Sequence, residues 1–178
     1  MIDKFGKAIL TMFGVGYFKY APGTAASFLT CIIFYLLYTS SFYIGQGPAV
    51  IVCILLIILV YSIIIIDKLS YLFKKKDPEE IVIDEFIGQS IPIIAYSYLS
   101  FFAVGSSFDA FFIFFEGRPF IGWLITSFIL FRFFDIVKPF PINIVDKKMK
   151  NGLGVMLDDI IAGIYSTIAC VIIWALWF

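Results

Sequence analysis

Histidine is absent from this 178-residue chain, and that absence removes a set of mechanisms at once. There is no imidazole for acid–base work, no phosphohistidine intermediate and no histidine-ligated zinc. Cysteine is scarce. Cys31, Cys53 and Cys170 all lie inside apolar runs without ligand spacing, so they read as small hydrophobes. Charge is scarce too, at 15% of residues against about a quarter in a soluble domain. The formal net charge is 0, so nothing suggests a nucleic-acid partner. Before Pro22 no long apolar core is free of charge, with Asp3, Lys4 and Lys7 near the start, so no cleavable signal peptide is expected.

What the chain has in abundance is hydrocarbon: 62% of residues are hydrophobic and the mean hydropathy is +1.02. It reads as an all-α integral membrane protein, one domain over residues 1–178. Ile2, Phe5, Ile9, Met12 and Phe13 recur at helical spacing among Lys4, Lys7 and Lys19, which predicts an amphipathic helix on the membrane surface through Tyr20. Pro22 and Gly23 then break the chain, and Thr24 is a candidate cap for a first span from Ala25 to Tyr43. Gln46, Gly47 and Pro48 read as a turn before a charge-free stretch from Ala49 to Ile66, long enough to span. In the polar stretch from Asp67, Asp77 reads as an N-cap, Pro78 as the first helical residue, and Glu79 and Glu80 as first-turn acids. The helix they open carries Asp84, Glu85, Gly88, Gln89 and Pro92, so it is expected to be kinked or broken and buried among the others. A loop over 103–119 leads to a span from Phe120 to Val137, ended by Pro139 and Pro141. Gly152 and Gly154 read as a flexible link before a last span from Asp158 to Phe178. The expectation is about five transmembrane helices.

Sorting the span ends by alternation places all eleven lysines on one side of the membrane and leaves Arg118 on the other. The positive-inside rule makes the lysine side cytoplasmic, with the N-terminus inside and the C-terminus outside. Eleven of the thirteen carboxylates fall on that same side, Asp109 and Glu116 being the exceptions.

Ionised groups at the edge of hydrocarbon are costly, so their clustering asks for a reason. On a continuous helix Glu80 and Asp84 share a face, although Glu80 serves equally well as a first-turn acid. Arg132, Asp135 and Lys138 stand three apart on one face, which is also the spacing of a salt-bridge ladder. Asp158 and Asp159 are adjacent and point in different directions: one can cap its helix while the other reaches a ligand, or both can simply favour the helix start. Glu80, Asp84, Asp135, Asp146, Asp158 and Asp159 are thus candidate ligands for a hard, oxygen-seeking cation, which suits Mg²⁺ and a bridging phosphate. Asp84, Glu85, Asp135, Asp158 and Asp159 are the candidate catalytic carboxylates. Arg132 and Lys138, with Thr24 at a helix start, are the candidate phosphate-binding residues. A water attacking phosphorus is favoured over a carboxylate nucleophile, because carboxylates arriving from three segments look like a cage for cations.

Three segments carry a resemblance: APGTAAS, EEIVIDEFIG, and FRFFDIVKPFP followed by GLGVMLDDIIAGIY. Together they span Pro22 to Tyr165 in order, and the chain resembles the phosphatidylglycerophosphatase A family. Ala26 departs from it, since the family often has glycine there. The resemblance implies Mg²⁺-dependent dephosphorylation of phosphatidylglycerophosphate to phosphatidylglycerol at a bacterial inner membrane, with a membrane phospholipid as partner. The DG…AR…G…D…D pattern of CDP-alcohol phosphotransferases and the DxDxT of haloacid-type phosphatases are absent. The competing non-enzymatic reading is a small transporter or channel lined by acidic residues, which would place charge at mid-membrane depth rather than at one face.

Overall fold

The computed structural model describes residues 2–40, 47–69, 80–104, 118–149 and 151–177, and they are helical wherever they are regular. The helices are α1 (Ile2–Leu10), a 3₁₀ segment (Met12–Tyr17), α2 (Pro22–Thr39), α3 (Gly47–Leu69), α4 (Ile83–Val104), α5 (Arg118–Val137), α6 (Ile142–Lys148) and α7 (Gly152–Trp177).

Four of these, α2, α3, α5 and α7, are long and apolar enough to cross a membrane. They bury only a minority of their residues inside the protein. Leu36, Ile57, Ile129 and Ile172 are each more than half exposed, and a bilayer is the solvent that covers such surfaces at no cost. α4 packs against all four of these helices. Its polar residues Gln89, Ser90 and Ser97 are buried by protein rather than lipid. α4, the helix expected to supply a fifth span, is thus central and largely covered by protein. It runs unbroken through Pro92, whose carbonyl accepts a hydrogen bond from Trp123 Nε1 at 2.7 Å.

Small residues let the central helices approach closely. A Cβ on Gly163 of α7 would lie 2.4 Å from the Gly88 carbonyl oxygen, and one on Gly88 would lie 2.7 Å from the Asp159 carbonyl oxygen. Pro92 has no N–H, so the Gly88 carbonyl, four residues earlier, lacks its helical donor. The close Gly163 Cα–H is what faces it instead. Hydroxyls inside the helices are satisfied locally: Thr30, Ser90 and Thr167 donate to the carbonyls of Ala26, Phe86 and Gly163 at 2.6–2.8 Å.

Several helix ends differ from the sequence reading. The N-terminal helix stops at Leu10, because Met12 and Phe13 adopt left-handed backbone angles, so its apolar residues do not form one stripe to Tyr20. Gly6 and Leu10 pack towards α3 and its surroundings while Phe5 and Phe13 are exposed. Pro22 begins α2 rather than breaking the chain, and Thr24 lies inside its first turn; the cap position is Ala21, left-handed and without a side-chain hydrogen bond. Gly47 and Pro48 open α3. Gly152 and Gly154 are not a link but the first turn of α7, capped by Asn151 Oδ1 (3.0 Å to the Gly154 N–H) and by Asp67 Oδ1 of α3 (2.6 Å to the Gly152 N–H). The proposed cap Asp77–Pro78–Glu79, Gln46, and the acidic loop residues Asp109 and Glu116 lie outside the described residues.

Candidate active site

Four chain segments meet at one end of the helical bundle: the first turn of α2, the first turn of α4, the last turn of α5 with the bend after it, and the second turn of α7. α4 begins at Ile83, so Asp84 and Glu85 stand in its first turn, where the positive end of the helix favours acids. Asp158 and Asp159 sit a turn and a half into α7, too deep to cap it; Asn151 and Asp67 do that. Both adjacent acidic pairs have the same local arrangement, in which Asp84 Oδ1 and Asp158 Oδ1 accept the next residue's backbone N–H at 3.1 Å.

The side chains of Asp84, Glu85 and Asp159 converge. One carboxylate oxygen from each lies within 4.8 Å of the other two. Asp159 is 4% exposed, so little water screens the repulsion. Asp135 reaches Asp159 from α5, and Asp158 adds a further negative charge. Cations stand at the edges of this group. Arg132 Nη1 pairs with Asp135 at 2.8 Å and donates to Ser27 Oγ of α2 at 3.5 Å, while its Nε has no hydrogen-bond partner. Glu85 Oε1 packs on Gly23, where a Cβ would come to 2.0 Å from it and to 3.3 Å from Arg132 Nη1. Glu85 Oε2 is buried without a partner.

A second charged group adjoins the first. Lys138 follows α5 with a left-handed backbone (φ 46°) just before Pro139, and its side chain reaches α6 and α7. Its Nζ bridges Asp158 at 2.8 Å and Asp146 at 3.0 Å. Burial pulls the Lys138 pKa down, but the hydrogen bonds and charges of Asp158 and Asp146 outweigh it, and the net shift is upward. The ammonium is thus locked in its charged form.

A model of the family described as "PgpA: Phosphatidylglycerophosphatase A" matches residues 8–174. The chain belongs to the phosphatidylglycerophosphatase A family. It is 34% identical over 160 residues to a phosphatidylglycerophosphatase A of Haemophilus influenzae, covering 88% of this chain and 80% of that one. It is 31% identical over 161 residues to a putative phosphatidylinositol-3-phosphatase of Bacteroides thetaiotaomicron, covering 89% and 86%. A segment of 44 residues, a quarter of each chain, is 43% identical to the phosphatidylglycerophosphatase A of Escherichia coli. No solved structure matches. As a member of the phosphatidylglycerophosphatase A family the protein is a phosphoric monoester hydrolase, and its four long apolar helices mark it as a membrane protein.

Within this family member the structure gathers most of the residues that the sequence singled out. Asp84, Glu85 and Asp159 form the carboxylate group, with Asp135 and Arg132 beside it; Asp146 and Asp158 are tied to Lys138. Thr24 lies in the first turn of α2, next to Gly23. Glu80 does not share a helical face with Asp84: it sits in a turn ahead of α4, where its backbone carbonyl packs on Gly16. Sequence reasoning missed Ser27 and the role of Gly23. Their four-residue spacing, which puts both on one face of α2, was the available signal. Ala26, the departure from the family pattern, is fully buried in the core with Leu10 and Met12.

Proposed function

We propose that this enzyme hydrolyses phosphatidylglycerophosphate to phosphatidylglycerol and phosphate, with Mg²⁺, at the cytoplasmic face of a bacterial inner membrane that it crosses several times. The observation that carries the reading is the convergence of Asp84, Glu85 and Asp159, with a partnerless Glu85 oxygen, between Arg132 and Lys138. Three carboxylates held this close, with no imidazole or thiolate among them, fit a hard divalent cation, and Asp84 and Asp159 are the residues that would hold it. Bound there, Mg²⁺ would supply Lewis acidity to the phosphate and lower the pKa of a water. Glu85 Oε2 accepts the proton of the attacking water as its oxygen bonds to phosphorus. The P–O bond to glycerol breaks, and the departing alkoxide takes that proton from Glu85, which restores the carboxylate. Arg132 and Lys138 orient phosphate oxygens, with Thr24 at the α2 N-terminus; Asp135, Asp146 and Asp158 position those two cations. Glu80 has no part in this arrangement.

The test is phosphate release by the purified protein in detergent. Release is expected with Mg²⁺ and is expected to stop in EDTA; undiminished turnover in EDTA would remove the metal. In a single turnover in ¹⁸O-water, the label is expected in the released phosphate and in no protein carboxylate. Label in an Asp or Glu side chain would mean that a covalent acyl phosphate had formed.

The lysine asymmetry supports the orientation, with α4 counted as the fifth crossing. A C-terminal alkaline-phosphatase fusion is then expected to be active and a C-terminal fluorescent protein dark; the reverse pattern would put the C-terminus inside.

A further inference from the structure

Below the carboxylates the protein has an apolar groove that the chemistry above does not use. It has a volume of about 420 Å³ and lies between α3, α4 and α7. Its α4 wall is a single helical stripe: Ile87, Ile91, Ala95 and Tyr98 follow one another at three- or four-residue steps. Asp84 is three residues before Ile87, so the same stripe begins at the carboxylate group. The α7 wall is Ile160, the residue after Asp159. Apart from the Tyr98 hydroxyl, no lining side chain carries a polar group, and Leu56 and Tyr98 are partly exposed, so the groove opens sideways to the surroundings of the bundle.

Length decides between occupants. From Ile87 to Tyr98 the helix rises about 16 Å, which is the depth of one leaflet, half of the roughly 30 Å hydrocarbon core. A partner helix crossing the membrane needs about twice that length. One acyl chain, anchored by a head group at the bilayer surface, needs just this. We propose that the groove seats one acyl chain of the lipid substrate, continuous with the carboxylate group, and so sets chain-length preference. This rests on the reading that the enzyme acts on a phospholipid phosphate ester.

The structure makes Ala95 the point at which to fill the groove, since its small side chain lies midway along the wall. In Ala95→Trp, KM for a long-chain phosphatidylglycerophosphate is expected to rise by about tenfold or more, the equivalent of a few lost methylene contacts. KM for the dihexanoyl analogue is expected to stay near wild type, because that chain ends above residue 95. Equal loss on both substrates, or on neither, would overturn the proposal. A second measurement needs no turnover. A phosphatidylglycerophosphate analogue with a diazirine midway along one chain is bound to the wild-type protein in detergent and photolysed. Label is expected on peptides containing Leu55–Leu59 and Ile91–Tyr98, and is expected to be competed by the unlabelled long-chain phosphate ester but not by phosphatidylcholine. Three outcomes overturn the proposal: uncompeted label spread over the outer face of α5, competition by phosphatidylcholine as well, which means bulk lipid only, or crosslinked dimers through the groove. Competed groove label without phosphate release would instead count against the proposed reaction, and phosphate release without groove label against the groove alone.

Discussion

Asp159→Asn is expected to lose phosphatase activity by on the order of 10²–10³-fold and yet to be more heat-stable than the wild type when Mg²⁺ is absent. The two effects have one cause. Asp84, Glu85 and Asp159 present oxygens within 4.8 Å of one another, and Asp135 reaches the same place. At an effective dielectric near 20, two ionised groups at that distance repel by roughly 3–4 kcal/mol. An amide of the same shape removes this repulsion from the folded state at little cost in packing. Each kcal/mol is about 2–4 °C in a chain of this size, so melting in EDTA should move up by several degrees. In the wild type a saturating cation adds stability by mass action, about 2.7 kcal/mol at a hundred times its dissociation constant. In Asp159→Asn that increment should largely vanish. Thermal unfolding in detergent, with EDTA and with a Mg²⁺ titration, reads both signs. A variant that keeps the full Mg²⁺ shift would take Asp159 out of the cation site. One that melts lower in EDTA would mean that the carboxylate is held by an interaction other than repulsion with its neighbours.

Gly163→Val is expected to cost about 1–3 kcal/mol of stability and at least about 10²-fold in activity. Gly163 has no charge and does not belong to the carboxylate group. Its Cβ position lies 2.4 Å from the carbonyl oxygen of Gly88, and a backbone atom cannot rotate out of the way as a side-chain tip can. Gly88 follows Asp84 by four residues, and Gly163 follows Asp159 by four, so the crossing of α4 and α7 lies one helical turn below the carboxylates. Valine at this point pushes the helices apart where their separation sets the distance between Asp84, Glu85 and Asp159. A displacement of the order of an ångström at a reacting centre is enough for the rate loss. Gly122→Ala is the comparison: its Cβ would meet only the Trp174 ring, at 3.2 Å, and activity should stay near wild type. If Gly163→Val folds and turns over normally, the helix crossing does not set the spacing of the carboxylates.

The residues themselves determined the class and much of the candidate site. Hydrocarbon content is a sum over residues, and a span is a local run of them, so α2, α3, α5 and α7 are legible in one dimension. So is the placing of Asp84, Glu85, Asp135, Asp158 and Asp159 near helix ends, because charge in hydrocarbon is costly wherever the chain goes. Capping was misread where the partner is distant: Gly152 and Gly154 look like a hinge until Asp67, 85 residues earlier, is found bonded to the Gly152 N–H. Glu80 and Asp84 satisfy helical spacing, but only contacts with the N-terminal segment, such as the Val82 N–H bonded to the Leu10 carbonyl, show that the helix begins after Glu80. The division of the acids is also a tertiary matter. Asp158 and Asp159 are neighbours in the chain, yet one is bound to Lys138 and the other faces Asp84 and Glu85. That division follows from successive helical residues pointing about 100° apart and from which helix lies on each side. Spacing sets the first of these; only the packing of α4, α5 and α7 decides the second.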